Sequence, residues 1–362
     1  MSKPVILTGL RANNDLHIGN YLGALLPLVD MANNKAGEYQ INLFVPDLHS
    51  FTTPIDHGTL QAAIMQNLRV FVAAGLSLDN DDVFIYRQSY IPAHCELTWI
   101  LDCFTGIGQM RRMTQYKDKA NALAGKTEEK MANQNNFNLE GNELLDATPT
   151  ISVGLFNYPV LMASDILLYG AEYIPVGDDQ SQHIEFTRDI AERMNGKFGE
   201  LFVVPKPVKE QHEFFGKDQG LRIRDLQNPH KKMSKSDDTG NGVIFLTESP
   251  ESARKKIMSA TTDSLGQIQY NYDERPGISN LLDLLKLFGG NQDEFIGQDQ
   301  YGPLKTAVAD KLETFLTDFQ TKLASVDDAA IVHKLESSEM LMHDVAMQRL
   351  HKVQQAVGLR PK

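Results

Sequence analysis

At 362 residues, with 42% hydrophobic and 23% charged side chains, the chain has the make-up of an ordinary globular protein long enough for two domains with sizeable cores. No apolar run approaches the roughly 20 residues that span a membrane, and the first predicted strand begins almost at the N-terminus, leaving no room for a signal peptide, so a cytoplasmic protein with no membrane partner is expected. A net charge of −12 argues against general affinity for nucleic acid, although a local basic patch would suffice for it.

The first predicted element is a strand: Pro4-Val5-Ile6-Leu7-Thr8-Gly9-Leu10 has the length and β-branched content of a buried parallel strand. Arg11-Ala12-Asn13-Asn14-Asp15 is a polar break, and Asp15 suits a helix N-cap. Leu22, Leu25, Leu26 and Val29 then recur at helical spacing, which puts His17-Ile18-Gly19-Asn20 in the first turn. Unpaired N–H groups and the helix dipole favour a phosphate there, Gly19 permits close approach, and His17 and Asn20 add donors. A plain capped surface helix is the alternative. Pro27 should end or kink this helix.

Tyr39 to Val45 reads as a second strand, with Pro46-Asp47-Leu48-His49 at its carboxyl end. Leu60, Ile64, Leu68 and Phe71 mark a helix that stops at Gly75, and Val83 to Tyr86 is a third strand. This alternation predicts a Rossmann-like α/β fold, a parallel sheet with ligands at the strand carboxyl ends. Pro92 to Met113 is a helical insertion whose apolar face is Leu97, Ile100, Leu101 and Phe104, and Trp99 is expected to pack there. Cys95 and Cys103 would lie about 12 Å apart along a continuous helix, too far to bridge, which fits reduced thiols. From Lys117 to Thr150 polar residues dominate without apolar periodicity, so much of the stretch is expected to be a mobile loop.

In the run from Phe156 to Tyr169, Pro159 suits a first helical position. Tyr158, Met162 and Asp165 are spaced i, i+4, i+7 and share a face. A buried Asp needs a partner or a function, unless this one points to solvent. Glu172 to Val176 is the next predicted strand, with Gly177-Asp178-Asp179-Gln180 at its end and a helix from Gln182 towards Arg193. The acidic pair can accept hydrogen bonds from a ribose, or simply favour a helix start. Leu201 to Val204 reads as a last strand. His230 to Asp238 is a polar loop in which Lys232 and Lys235 could fold over a triphosphate, the alternative being a solvated basic run. Helices are then expected from Ser249-Pro250, over Ile278 to Leu285, over Leu304 to Leu323 and over Leu341 to Val357. Residues 1–219 therefore read as a Rossmann-like catalytic domain with an insertion near 92–150, and 220–362 as a lysine-loop linker followed by a helical second domain.

In this order, His17-Ile18-Gly19-Asn20 and Lys232-Met233-Ser234-Lys235-Ser236 resemble the His-Ile-Gly-His and Lys-Met-Ser-Lys-Ser motifs of class I aminoacyl-tRNA synthetases. The Asn variant of the first is associated with the tryptophanyl-tRNA synthetases. The resemblance spans most of residues 4–290 and includes Tyr158 to Tyr169, Val176 to Gln180 with His183, and Pro276 to Leu282. It implies activation of L-tryptophan with MgATP and transfer of the product to the 3′ end of tRNA(Trp), with a helical region holding the anticodon, in a homodimer. By resemblance, Arg11, Ala12, Asn13, His17, Gly19 and Asn20 bind ATP, and Gly177, Asp178, Asp179 and Ile223 hold its adenosine. Lys232, Met233, Ser234, Lys235 and Ser236 surround the phosphates, and the catalytic roles fall to Lys232, Lys235, His17 and Asn20. Asp165 would accept the indole N–H, with Tyr158, Met162, Gln180, His49 and Leu7 around the amino acid. No protein-held metal is implied, only Mg²⁺ carried by ATP. The chain departs from the family in having Arg11-Ala12-Asn13-Asn14 for Gln-Pro-Ser-Gly, Leu7 for a Phe, and Arg224-Asp225 for Met-Ser. Rival readings are a tyrosyl-tRNA synthetase, a nucleotidyltransferase acting without tRNA, and a non-enzymatic tRNA binder.

Overall fold

Three parallel strands form the centre of the computed structural model, which describes residues 3–10, 12, 16–52, 55–113, 152–175, 177, 180–216, 223–234 and 240–361. The strands are β1 (Val5–Gly9), β2 (Gln40–Val45) and β3 (Val83–Arg87), in that spatial order. Alternate side chains leave opposite faces of a strand. Ile6, Ile41, Leu43, Val83 and Ile85 accordingly enter one core, while Val5, Leu7, Phe44 and Tyr86 enter a second. Burial on both faces suits the nearly unbroken apolar runs of β1 and β2.

Two predicted strands do not form among the described residues. Of the stretch Glu172 to Val176, whose last residue lies outside the described ones, Tyr173 makes one parallel bridge beside Ile6, with Leu7 N–H donating to Tyr173 O at 2.9 Å. Pro175 has no N–H to continue the ladder. Leu201 to Val204 is irregular, and Pro205 and Pro207 follow it. A side chain stands in for the missing backbone pairing. Gln211, fully buried on an unpredicted helix, accepts from Ile174 N–H at 2.9 Å and donates to Glu172 O at 2.9 Å and Lys206 O at 3.0 Å.

After β1 come α1 (Ile18–Asn20), a π turn (Tyr21–Leu25) and α2 (Leu26–Lys35). Pro27 does not end the helical run: it is the second residue of α2, and the widened turn lies just ahead of it, where the missing N–H and the ring need accommodating. α3 (Leu60–Ala73) stops before Gly75, whose φ of +107° marks the left-handed region. The predicted insertion resolves into α4 (Ala93–Asp102) and the short α5 (Ile107–Met110). Trp99 does not pack on the apolar face of α4; it is 71% exposed on the opposite side. The stretch Lys117 to Thr150 lies outside the described residues.

α6 (Val153–Leu168) begins six residues before Pro159, because Ser152 Oγ accepts the Leu155 N–H at 3.0 Å and caps it there. Pro159 is thus buried inside the helix, not at its first position. α7 (Ser181–Phe198), α8 (Val208–Phe215), α9 (Pro250–Met258), α10 (Pro276–Leu287), α11 (Tyr301–Ala324) and α12 (Asp328–Val357) complete the chain. α9, α10 and α11 extend the first core. The C-terminal α12 returns to the sheet, placing Met342, Ala346, Leu350 and Val353 in the second core. It also shields the edge of β3, since Ser338 Oγ accepts Ile85 N–H at 3.2 Å and Glu339 Oε1 accepts Arg87 N–H at 3.1 Å.

Candidate functional site

At the carboxyl ends of the strands the buried Asp47 ties β2 to β3. Its carboxylate accepts Leu48 N–H at 3.0 Å, Ser89 N–H at 2.9 Å and the Ser89 hydroxyl at 2.5 Å. This fixes the short 3-10 turn Leu48–Thr52, which carries His49. A cavity of about 430 Å³ opens beside it. Leu7, His49, Tyr158, Met162, Asp165 and Gln180 all line it, so the structure brings together the six residues expected around the amino acid. Gly177 stands at the same wall.

Asp165 has no exposed surface. Its Oδ1 accepts from Gln88 Nε2 at 2.7 Å and from His94 Nδ1 at 2.6 Å, and its Oδ2 from His49 Nε2 at 2.8 Å. Burial pushes this carboxyl up, but hydrogen bonds from His49 and His94, and attraction to them, outweigh it and hold it at about 2. A carboxylate offers about four acceptor positions. Three are taken, which leaves one, on Oδ2, for a donor in the cavity. Behind this group His94 Nε2 meets the Tyr169 hydroxyl at 2.8 Å, and His183 Nε2 meets the Tyr158 hydroxyl at 2.9 Å.

The predicted phosphate site is built differently from expectation. The N-cap of α1 is His17 itself, in extended conformation, while Asp15 lies outside the described residues. Asn20 N–H donates to His17 Nδ1 at 3.2 Å and His17 N–H to Asn20 Oδ1 at 3.4 Å, a reciprocal cap. An Nδ1 that accepts leaves the ring proton on Nε2. His17 also pairs with Phe245 in an antiparallel bridge, with Ile18 N–H donating to Ile244 O at 2.9 Å. The strip just beyond the lysine loop therefore lies against the first motif. A methyl group on Gly19 would stand 3.1 Å from the His17 ring and 3.5 Å from Met233 Cβ, so the two motifs touch. Ala12, Ile223 and Met233 have side chains buried in the core, whereas Lys232 is exposed and Ser234 half-buried. Arg11, Asn13, Asp178, Asp179, Lys235 and Ser236 lie outside the described residues.

A family model for tRNA synthetases class I (W and Y) matches residues 2–317. The chain belongs to that family. It is 37% identical over 359 residues, 98% of each chain, to the tryptophan–tRNA ligase of Caldanaerobacter subterraneus subsp. tengcongensis. Among solved structures it resembles the tryptophanyl-tRNA synthetase of Mycoplasma pneumoniae, with a TM-score of 0.77 at 30% identity over 99% of each chain. It also resembles that of Campylobacter jejuni complexed with ADP and tryptophan, with a TM-score of 0.74 at 26% identity over 98% of this chain and 99% of that one.

Three features of this class I synthetase were not legible in its sequence. Gln88 and His94, two of the donors to Asp165, carry only the weak signal of following a strand end. The third is what Pro276 to Leu282 does for the lysine loop. Asn280 Oδ1 accepts Arg224 N–H at 2.9 Å and its Nδ2 donates to Arg224 O at 3.2 Å. Arg224 in turn bridges to Lys232, Asp225 N–H donates to Lys231 O at 3.0 Å, and Met233 N–H to Ile223 O at 3.0 Å. Gly277 has no side chain because the Thr261 carbonyl occupies that space. Asp225 Oδ1 accepts the N–H groups of Gln227 and Asn228, both at 2.8 Å, so the departure at Arg224-Asp225 builds a turn.

Proposed function

We propose that this synthetase is a tryptophan–tRNA ligase, activating L-tryptophan with MgATP and charging tRNA(Trp). In the first step a tryptophan carboxylate oxygen attacks the α-phosphorus of ATP, the bond to the bridging oxygen breaks and pyrophosphate leaves. In the second a hydroxyl of the terminal ribose attacks the acyl carbon, loses its proton, and AMP departs. The carboxylate is already a nucleophile, so the protein's part is positioning and stabilisation of charge at phosphorus.

The observation that carries this reading is the acceptor position left on Asp165 inside an otherwise largely apolar cavity. An indole offers one N–H to it and a flat ring to Leu7, Tyr158 and Met162, with Gln180 and His49 at the polar end. We place the ATP phosphates at His17, Gly19 and Asn20, next to Met233, with Arg11, Ala12, Asn13, Ser234 and Ser236 alongside and Lys232 and Lys235 acting on the departing pyrophosphate. Gly177, Asp178, Asp179 and Ile223 hold the adenosine, and Mg²⁺ enters with the nucleotide. A phenol could also donate to Asp165. The tryptophan enzymes that resemble this chain over nearly its whole length support the indole, as does the Campylobacter jejuni complex with tryptophan.

The helical part of 220–362 that follows the lysine-loop linker is assigned to the anticodon, with 1–219 as the catalytic part. Phe51 and Trp99, both exposed and lining one groove with Leu161, form an apolar face that we assign to a homodimer. Cys95 and Cys103 are exposed and unpaired, which fits a reducing cytoplasm, and no helix among the described residues is long and apolar enough to cross a membrane. Amino-acid-dependent ATP–pyrophosphate exchange across all twenty amino acids tests the assignment. Tryptophan should support exchange best; a preference for tyrosine would overturn it.

A further inference from the structure

We infer that His94 is a positioning residue for amino-acid selection: its Nδ1–H locks the Asp165 carboxylate so that the one acceptor position left over faces the ligand. The inference rests on the assignment of tryptophan to the cavity and deepens it. His94 lies on α4, has no exposed surface and does not line the cavity. Its ring is held at both ends, by Asp165 Oδ1 at 2.6 Å and by the Tyr169 hydroxyl at 2.8 Å. An ionised carboxylate only accepts, so Nδ1 must carry a proton. The Tyr169 hydroxyl can donate to Nε2 or accept from it, so the arrangement holds for the neutral ring and for the imidazolium alike.

Gln88 Nε2 fills the other acceptor position of Oδ1 at 2.7 Å. With Oδ1 saturated, rotation of the carboxylate would break two hydrogen bonds at once. Oδ2 is thereby fixed, with His49 on one lone pair and the cavity on the other. A carboxylate fixed and ionised rejects any ring that lacks a donor, because binding that ring leaves the acceptor buried and unpaired. Without the His94 donor the carboxylate gains freedom to turn, or to take up a proton and become a donor itself. The N–H of the substrate then ceases to matter.

The test compares His94→Asn with His94→Leu. The two replacements have nearly the same shape and both abandon Tyr169, but the Asn amide can donate from near the position of Nδ1. Each is assayed by ATP–pyrophosphate exchange with tryptophan and with β-(benzothiophen-3-yl)alanine, whose ring keeps the shape of indole and lacks the N–H. The unsubstituted enzyme should prefer tryptophan in kcat/KM by roughly 10²–10⁴. His94→Leu should shrink that preference by about tenfold or more, chiefly through KM for tryptophan, and His94→Asn should keep most of it. Should the Leu variant not fold, His94→Gln takes its place: its longer amide reaches towards Tyr169, so it too should lose the preference that Asn retains. Equal loss in Asn and in Leu or Gln, or full preference in Leu or Gln, overturns the proposal. Failure of the underlying assignment looks different, since the unsubstituted enzyme itself would then show no tryptophan-dependent exchange.

Discussion

A carboxylate without exposed surface survives in a protein only when donors meet its oxygens, and Asp165 meets three before any ligand arrives. Replacing it by Ala removes the acceptor that the indole would use and leaves those donors facing a hole. Asp165→Ala should lower kcat/KM for tryptophan in exchange by roughly 10²-fold or more while KM for ATP hardly moves; unchanged discrimination against phenylalanine would refute its role. Because the folded carboxyl is held at about 2, below the roughly 3.9 of a free aspartate, its contribution to stability is fully present above the free value. That contribution fades as pH falls towards 2, so between about pH 4 and 2 the unsubstituted chain should lose more stability than an Asp165→Asn chain, and tryptophan affinity should show no Asp165 titration between pH 5 and 8. Lys232, exposed and next in sequence to the Met233 that meets Gly19, is the described half of the lysine pair. Lys232→Ala should cut kcat by roughly 10²–10³ with little change in KM for tryptophan, as removal of a charge-stabilising donor does. The helical spacing of Tyr158, Met162 and Asp165 was enough to place these three together. Gln88 and His94, 77 and 71 residues from Asp165, leave no comparable periodic trace, because they come from other elements brought beside it by the fold.

Elements built on local rules read well from sequence, and those decided by a distant side chain do not. β1, β2, β3 and α3 follow from apolar runs and a stop at Gly75. The edges near Glu172 and Leu201 look like strands by residue type, yet prolines deny them a ladder; Gln211 satisfies the backbone of Glu172 and Ile174 instead, and Asn195 that of Leu201 and Phe202. Pro159 misplaces the start of α6 because a good cap, Ser152, lies further upstream. The lysine loop is the case with functional weight. Its backbone leans on Ile223 to Asp225, and Asn280 on α10 grips Arg224 at both its N–H and its carbonyl. Asn280→Ala leaves that pair unmet, at a cost of about 1–3 kcal/mol, and frees the strip opposite Lys232. The expected outcome is a fall in kcat for exchange of about tenfold with a smaller effect on KM for tryptophan. Loss of melting temperature with kcat intact would reduce Asn280 to a purely structural residue.

Across the whole molecule the chain folds back on its own beginning. α12 starts after the helical region and ends in the second core, and its Glu339 meets Arg87 both at the guanidinium, at 2.6 Å and 2.8 Å, and at the backbone N–H. Arg87 immediately precedes Gln88, so the last helix buttresses the strand end that supplies Asp165 with a donor. On the other side of the amino-acid cavity the molecule presents a groove of about 320 Å³ lined by Phe51, Cys95, Trp99, Gly154 and Leu161, among others. Thr52 and Tyr158 belong to the walls of both groove and cavity. Phe51 is 53% exposed and Trp99 71%, both on this one groove, which is more clustered apolar surface than a solitary chain gains anything by showing. If a second copy covers this face, a charge at its centre must be desolvated without a partner, and association fails. Trp99→Glu should therefore convert a dimer into a monomer in sedimentation equilibrium at micromolar concentration, with its melting profile otherwise that of a folded protein. Because this face backs onto Tyr158, the monomer so produced should also bind tryptophan several-fold more weakly, and the addition of more protein should not restore it. A Trp99→Glu chain that still sediments as a dimer, or an unsubstituted chain that is monomeric, would show that this face serves something other than self-association.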